Sequence, residues 1–233
     1  YHVGYRYGGD RWGSFLNHYA VGAESEASAG FITRKDYRST ELYNGYTWRP
    51  SALGLREFGL FVGGKYASTM TGNRMQDWQI GFLTTPTWRS GDNLSVLGNL
   101  GETVVDDAFE LAPEVEVSKG RYGNNHVGWF GGTSRARPLS AEVNGMVSQF
   151  YGGSLVSAGA SATIALSPRF SLTPGLNRNV AEVTGGEFTA DISSLRASFS
   201  LSTRLFVNAL VQHNSLDGDF STNVRFNFIH RPG

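Results

Sequence analysis

The stretch of sequence that decides the fold is Phe220–Phe228, FSTNVRFNF. Every second residue from Phe220 onward is apolar or a threonine, and the residues between them are serine, asparagine and arginine. Because successive side chains of a β-strand point to opposite faces, this period of two predicts a strand with one apolar and one polar face. One face is suited to lipid and the other to water.

The same alternation continues upstream of this stretch. It is clear in residues 205–211, 195–201 and 156–166, and noisier segments with aromatic residues at their ends extend it back to residue 1. The pattern predicts about thirteen strands in the chain. Its phase reverses near Ile192, where we expect a β-bulge.

The connections between these segments carry a second signal. Short turns that each contain an arginine alternate with longer loops, as is typical of membrane barrels. The short turns are residues 8–11, 49–52, 89–93, 137–140, 167–169, 202–204 and 231–233. The longer connections include residues 22–38, 67–74, 102–125 and 177–187, with room for a hairpin inside 102–125. We expect the long loops to face outward.

Together the two signals predict an all-β fold, an antiparallel up-and-down transmembrane β-barrel. Bacterial single-chain barrels have even strand numbers, so thirteen visible strands indicate fourteen or more in the intact protein. Residues 1–233 are interpreted as one outer-membrane barrel domain. We expect it to be a fragment that lacks an upstream module and the final strand or strands.

Composition excludes several classes of protein. The longest apolar run is far below the roughly 18 residues that a membrane helix needs, which excludes a helical membrane protein. Twenty basic and twenty acidic residues cancel, which removes the electrostatic attraction on which nucleic-acid binding depends. The chain contains no cysteine, which excludes a disulfide framework and cysteine metal sites. Only 17% of the residues are charged, while 13% are aromatic.

Three stretches resemble a known family. They are residues 30–37 (GFITRKDY), residues 119–122 (KGRY) and, above all, residues 206–233, which end in RFNFIHRPG. The chain resembles the C-terminal outer-membrane β-barrel of an uncharacterised bacterial family that carries an N-terminal carbohydrate-binding-like module. The resemblance implies a bacterial outer-membrane location and a link to carbohydrate, and it implies no established activity.

Two groups of residues are candidates for function. The charged residues expected on the polar face, toward a barrel interior, are Arg6, Glu57, Lys65, Glu142, Arg196 and Arg225. They either set the field that selects solutes or pair with one another to satisfy buried charge. The residues expected at the membrane interface are Trp48, Arg49, Trp88, Arg89, Arg169, Phe170 and Arg231. An arginine at that level can reach lipid phosphates while its stem stays apolar.

We expect no enzyme activity, no cofactor and no metal site, because no nucleophile elbow, phosphate-binding loop or zinc motif is present. His213 and Ser215 have the spacing of a base and a nucleophile on one strand face, but turn formation is the simpler interpretation. Acidic residues of the connection 102–125 could offer oxygen ligands to calcium. Their spacing matches no EF-hand, and a solvated loop is favoured.

Three functional hypotheses follow. The first is a pore or uptake channel, or a membrane anchor, with carbohydrate or other small solutes as cargo. The second is a structural barrel with a plugged lumen that anchors a partner protein of the envelope. The third is a soluble β-sandwich, which would be a stable monomer without detergent. The expected partners are the lipid bilayer and lipopolysaccharide, and no nucleic acid.

Overall fold

The computed structural model describes residues 1–26 and 35–230. Sixteen β-strands account for the secondary structure of the described residues, and no helix long and apolar enough to span a bilayer occurs among them. The strands are β1 (His2–Gly8), β2 (Trp12–Val21), β3 (Tyr37–Trp48), β4 (Leu55–Ser68), β5 (Met75–Trp88), β6 (Asn93–Val105), β7 (Phe109–Ala112), β8 (Val115–Val117), β9 (Gly120–Gly123), β10 (His126–Gly132), β11 (Leu139–Phe150), β12 (Gly153–Ser167), β13 (Phe170–Val183), β14 (Gly186–Ser200), β15 (Leu205–Asn214) and β16 (Phe220–Phe228).

Fourteen of these strands form one antiparallel sheet, in the order β1 to β6 followed by β10 to β16, with β9 pairing to β6. Each strand on this path pairs with its neighbour along the path, so the sheet is an up-and-down meander. Strands β7 and β8 form a separate two-stranded hairpin. The prediction of an all-β, antiparallel up-and-down fold is confirmed.

Strands β9 and β10 together occupy a single strand position next to β6, because they pair with different parts of it. The first pairs with residues 102–105 of β6 and the second with residues 93–99. Between them, the backbone N–H of Asn124 donates to the Gly101 carbonyl at 2.8 Å. The main path therefore has thirteen strand positions, in line with the thirteen segments expected from the alternation, and the predicted hairpin inside residues 102–125 is present as β7 and β8.

Within the described residues the sheet is open. Strands β1 and β16 are its two ends, and every residue of both strands is exposed. Because twelve antiparallel pairings link them, β1 and β16 run in the same direction. These two strands do not pair with each other within the described residues, so the sheet is not closed into a barrel there.

One face of the sheet is apolar and exposed. Register places a single row of side chains directly opposite one another from β4 to β13: Val62, Phe82, Gly98, Val127, Val147, Val156 and Val180. Val127 and Val147, near the middle of this row, are 61% and 60% exposed. The alternation of Phe220–Phe228 thus extends across the sheet as one continuous face, which we call the apolar face. We call the opposite side the polar face.

Buried hydrophobic residues are few and small. In the described part of the chain they are Ala20, Val21, Ala67, Val105, Ala112, Val115, Val117 and Ala181. All lie toward the end of the sheet opposite the arginine-containing turns, or in the β7–β8 hairpin. A soluble β-sandwich would instead bury large side chains between two packed sheets. The sheet itself has no such core.

Two sequence expectations about the strands are wrong. Residues 177–187 are not a long loop, because β13 and β14 extend through them and leave only Thr184 and Gly185 as a turn. No bulge occurs at Ile192, which pairs with Asn177 and Asn214 in uninterrupted register. Next to Ile192, the apolar face carries the charged residues Arg178 and Asp191. A strict apolar alternation is therefore not required there, and the phase of the sequence pattern changes without a change in backbone register.

Candidate functional site

The predicted polar-face charges lie on one side of the sheet. Counting along the strand pairings places all six on the polar face: Arg6, Glu57, Lys65, Glu142, Arg196 and Arg225. The register from Glu57 to Lys65 is continuous, so these two residues face the same side of β4. The structure therefore brings them to a common surface but spreads them across most of its width.

In the first part of the sheet these charges have partners. Lys65 lies directly across from Glu41 on the neighbouring strand, a position in which opposite charges attract. The guanidinium of Arg6 lies 5.6 Å from the ring centroid of Phe15, within cation–π range. Arg135 forms an ion pair with Glu142.

A cavity of about 530 Å³ lies beside that last ion pair. Its lining includes Asn93, Asn144, Arg135 and Glu142. Because both charged members are engaged with one another, the cavity presents no net charge from them. It is a polar depression of the sheet with its charge already compensated.

The second part of the sheet is different. Arg196 and Arg225 line a cavity of about 680 Å³ on the polar face of β14, β15 and β16. Arg225 Nε donates to Asn223 Oδ1 at 3.2 Å. Neither arginine has an ion pair among the described residues, and no carboxylate lines the cavity. Two positive charges therefore meet there without compensation.

Seven carboxamides lie on the polar face in this region. Along β13 to β16 they are Asn177, Asn179, Asn208, Gln212, Asn214, Asn223 and Asn227. Sequence reasoning placed several of them on the polar side of a strand but did not recognise them as a set. The signal was available, because five of the nine polar-face positions of β15 and β16 are asparagine or glutamine. Carboxamides both donate and accept hydrogen bonds, so they suit hydroxyl-bearing ligands.

Aromatic residues cluster near the ends of the first strands. The Trp48 ring lies 4.9 Å from Tyr46 and 6.0 Å from Phe58, and Phe170 lies 6.0 Å from Phe199. Trp88 ends β5. Among these residues, Trp48, Trp88 and Phe170 are the ones that the sequence assigned to a membrane interface, and that role remains a prediction.

The arginines of the same group differ from one another. Arg49 donates to the Asp10 carboxylate at 2.8 Å, so its charge is compensated within the protein. Arg89 and Arg169 are exposed and form no ion pair within the described ranges. Arg231 lies outside the described residues. A free arginine is better placed than a paired one to reach a lipid phosphate.

A similar ion pair joins two other short turns. Both terminal nitrogens of Arg137 contact the Asp92 carboxylate, at 2.9 and 3.0 Å, which is the bidentate geometry of a strong charge-assisted pair. The Arg137 guanidinium, then the backbone N–H of Ser134 and the Ser90 hydroxyl, lower the pKa of Asp92 to about 2. The turn after β5 is thereby fastened to the turn after β10.

The β7–β8 hairpin packs against the opposite end of the sheet. Phe109 lies edge-on to Tyr151 with ring centroids 5.6 Å apart, and strand β8 contacts β14. Val115 lies so close to Gly186 that a Cβ there would be 3.2 Å from its side chain. The hairpin therefore bridges from β6 to the β11–β12 and β13–β14 turns instead of extending freely.

Two candidate sites, a metal site and the His213–Ser215 pair, can be compared with the structure of residues 1–26 and 35–230. No group of three or more histidine or acidic residues there is arranged to hold a metal ion. Ser215 Oγ accepts a hydrogen bond from the Asp191 N–H at 2.8 Å, and the centroid of the His213 ring lies 4.5 Å from that of Phe220, with the two rings tilted to each other. His213 and Ser215, the candidate base and nucleophile, thus both contact other residues, which favours the turn interpretation.

Comparison of the chain with protein families, with curated proteins and with solved structures finds no match.

Proposed function

We propose that this chain forms the wall of a bacterial outer-membrane β-barrel, with the apolar face against lipid and the polar face around a water-filled interior that passes small solutes. The observation that carries the proposal is the exposed apolar row from Val62 to Val180. Soluble monomers rarely expose apolar patches larger than a few hundred Å². A bilayer removes that surface from water without a second protein layer.

Closure of the sheet is part of the proposal. A spanning sheet needs every backbone group paired, because hydrocarbon offers no hydrogen bonds. Strands β1 and β16 run in the same direction, so a direct seam between them would not continue the antiparallel ladder. A further strand that is antiparallel to both would complete it and give the even strand number of bacterial barrels.

The polar interior suggests transport. Charged and amide side chains share one face of the sheet, where a wide barrel would place them along its lumen. Small solutes, including carbohydrate, are the proposed cargo, and the lipid bilayer and lipopolysaccharide are the proposed surroundings. The resemblance of residues 206–233 to an outer-membrane family agrees with this location. No step of the proposal requires catalysis.

Planar lipid bilayers test the pore directly. The purified chain, added from detergent, is expected to insert and give stepwise conductance in KCl. Failure to partition into detergent, together with a monodisperse monomer in plain buffer, would overturn the membrane assignment and favour the soluble β-sandwich. Partition into lipid without conductance would overturn the pore alone.

The β7–β8 hairpin favours a second candidate, a barrel that anchors a partner envelope protein and has a blocked lumen. Its contacts with Tyr151 and Gly186 hold it across the ends of several strands, in the manner of loops that obstruct large barrels. Replacing residues 107–118 by a short glycine–serine linker tests this idea. Conductance that appears only in the linker variant would establish a plug, and equal conductance in both proteins would exclude one.

A further inference from the structure

The two uncompensated arginines define a distinct part of the polar face. Arg196 and Arg225 line the same cavity of about 680 Å³. Arg196 forms no hydrogen bond or ion pair through its side chain within the described residues, and Arg225 donates only to Asn223. A guanidinium carries its charge at every accessible pH. The cavity therefore keeps a local positive potential although the chain as a whole has no net charge.

The polar face of the strands around these two arginines carries no acid. In the register of β12 to β16, no aspartate or glutamate lies on that face. The acidic residues of these strands, Glu182, Glu187 and Asp191, lie on the other face. Asp191 is paired there with Arg178, at 3.7 Å. The absence of acids is therefore specific to one side of this region.

The positions of the two arginines suit a ligand of small-molecule size. Arg196 lies level with Leu210 and, one strand further, with Asn223. Arg225 is two residues along from Asn223. With strands about 4.8 Å apart and a rise of about 3.4 Å per residue, the two Cα atoms are roughly 12 Å apart. Two extended arginine side chains can reach a common ligand across that distance.

The other side chains that line the cavity are uncharged, and its carboxamides can both donate and accept hydrogen bonds. Asn208, Gln212, Asn223 and Asn227 line it beside the arginines. A carboxamide offers a carbonyl acceptor and an NH₂ donor, which matches a hydroxyl group that also donates and accepts. Large aromatic rings are absent from the lining, so stacking on a flat neutral ring is not what this cavity offers.

We propose that this cavity binds a small anionic, polyhydroxylated solute, of which a sugar carboxylate is the simplest representative. The guanidiniums of Arg196 and Arg225 hold the carboxylate, by bidentate hydrogen bonds where one arginine meets it in plane. The carboxamides hold the hydroxyl groups. This inference rests on the proposed pore, because it names the class of solute that the pore admits.

Binding is measured first, on the whole chain in detergent micelles, by calorimetric titration with sodium glucuronate and with glucose. Glucuronate is expected to bind more tightly than glucose. The double variant Arg196→Gln/Arg225→Gln is expected to raise the Kd for glucuronate by about tenfold or more, as loss of charged hydrogen bonds implies. Equal affinity for the two sugars, or no change in the double variant, overturns the inference.

Two further variants distinguish the loss of a binding site from a general loss of folding. Arg178→Gln removes an arginine from the opposite face of the same region and is expected to leave glucuronate affinity unchanged. Arg225→Lys keeps the charge and loses the planar fork, so its Kd should lie between those of the wild type and the double variant. A loss of affinity as large in Arg178→Gln as in the double variant contradicts the cavity assignment.

Conductance separates this inference from the pore on which it rests. In a KCl gradient the wild type should prefer anions, and the double variant should lose much of that preference while still conducting. Glucuronate binding without any conductance would retain the cavity and remove the pore. Conductance with no anion preference and no glucuronate binding would retain the pore and remove the cavity's proposed role.

Discussion

The two halves of the sheet share one apolar face, but the chemistry of their polar faces differs. We call β1 to β6 with β10 and β11 the N-terminal wall, and β12 to β16 the C-terminal wall. The apolar row crosses from one to the other without a break in register. On the polar face, the N-terminal wall contains the Arg135–Glu142 ion pair and places Lys65 directly across from Glu41, whereas the C-terminal wall carries amides and arginines without an ion pair among the described residues. The apolar face is therefore similar in both walls, while the polar face differs in its chemistry.

Packing on the polar face divides in the same way. In the N-terminal wall, the Phe61 ring covers Gly45 and Gly59, and a Cβ on Gly45 would overlap that ring. In the C-terminal wall, Gly159 is covered by the amide ends of Asn144 and Asn177. Rings fill space rigidly, whereas amides adjust and exchange hydrogen bonds. The N-terminal wall therefore resembles a packed interior, and the C-terminal wall resembles the lining of an aqueous channel.

The largest expected effect tests the feature that the two walls share. Leu195 lies on the apolar face of β14, away from the charged residues near Ile192, and is 47% exposed. Leu195→Arg would place a charge in hydrocarbon and is expected to lower the free energy of unfolding by about 2–4 kcal/mol in lipid vesicles. Urea titration monitored by tryptophan fluorescence measures the change.

The neighbouring residue provides the control for this substitution. Ser194 faces the polar side of the same strand, so Ser194→Arg should cost less than about 1 kcal/mol. Equal losses for Leu195→Arg and Ser194→Arg would mean that the two faces are not in different solvents, and the membrane assignment would fail.

A smaller effect tests the difference in packing between the walls. Gly45→Ala forces the Phe61 ring to move and is expected to destabilise the protein by about 1–3 kcal/mol. Gly159→Ala meets only amide ends, 2.6 and 2.7 Å from the new Cβ, and these can rotate. Its loss should be under about 1 kcal/mol, because alanine also reduces the entropy of the unfolded chain.

Relief of the clash checks the cause. The double variant Gly45→Ala/Phe61→Leu should recover part of the stability lost in Gly45→Ala, since the shorter side chain leaves the new methyl group more space. If Gly159→Ala proves as costly as Gly45→Ala, the distinction between a ring-packed wall and an amide-lined wall does not hold.

Charge pairing provides a third contrast, in ion selectivity instead of stability. The double variant Glu41→Gln/Lys65→Gln removes an opposed pair from the N-terminal wall, so the anion-to-cation permeability ratio should change by less than about twofold. A reversal-potential measurement compares it with the arginine double variant of the C-terminal wall. A change as large as the one expected for Arg196 and Arg225 would show that paired charges also set the field.

The sequence predicted the two faces because alternation is local. A strand such as Phe220–Phe228 carries its own period, and register then has little freedom without exposing the wrong side. The loop expected at residues 177–187 failed for a related reason. Its Asn, Thr and Gly residues look like turn formers, but here the asparagines belong to a polar wall that needs polar side chains within strands.

Properties that depend on distant residues could not be predicted in this way. The partner of Arg49 is Asp10, and that of Arg137 is Asp92; each pair joins turns about forty residues apart in sequence. Nothing in the local pattern distinguishes these arginines from Arg169, which has no ion pair within the described residues. The same limit applies to the cavity around Arg196 and Arg225, whose members come from three strands.

The smallest predicted effect concerns the short turns of the N-terminal wall. The turns of the N-terminal wall are joined by the Asp92–Arg137 pair, which lowers the pKa of Asp92 to about 2. Because this folded-state pKa lies below the unfolded value, the pair stabilises the fold at neutral pH, and the contribution disappears as the pH falls from about 4 toward 2. The carboxylate is accessible to solvent, so the change in overall stability should be small. Carbon-13 NMR of the Asp92 carboxyl should give a midpoint near 2 in the wild type and a higher one in Arg137→Gln. An unchanged midpoint in that variant would mean that the Ser134 N–H and Ser90 hydroxyl, and not the link between the turns, hold the carboxylate ionised.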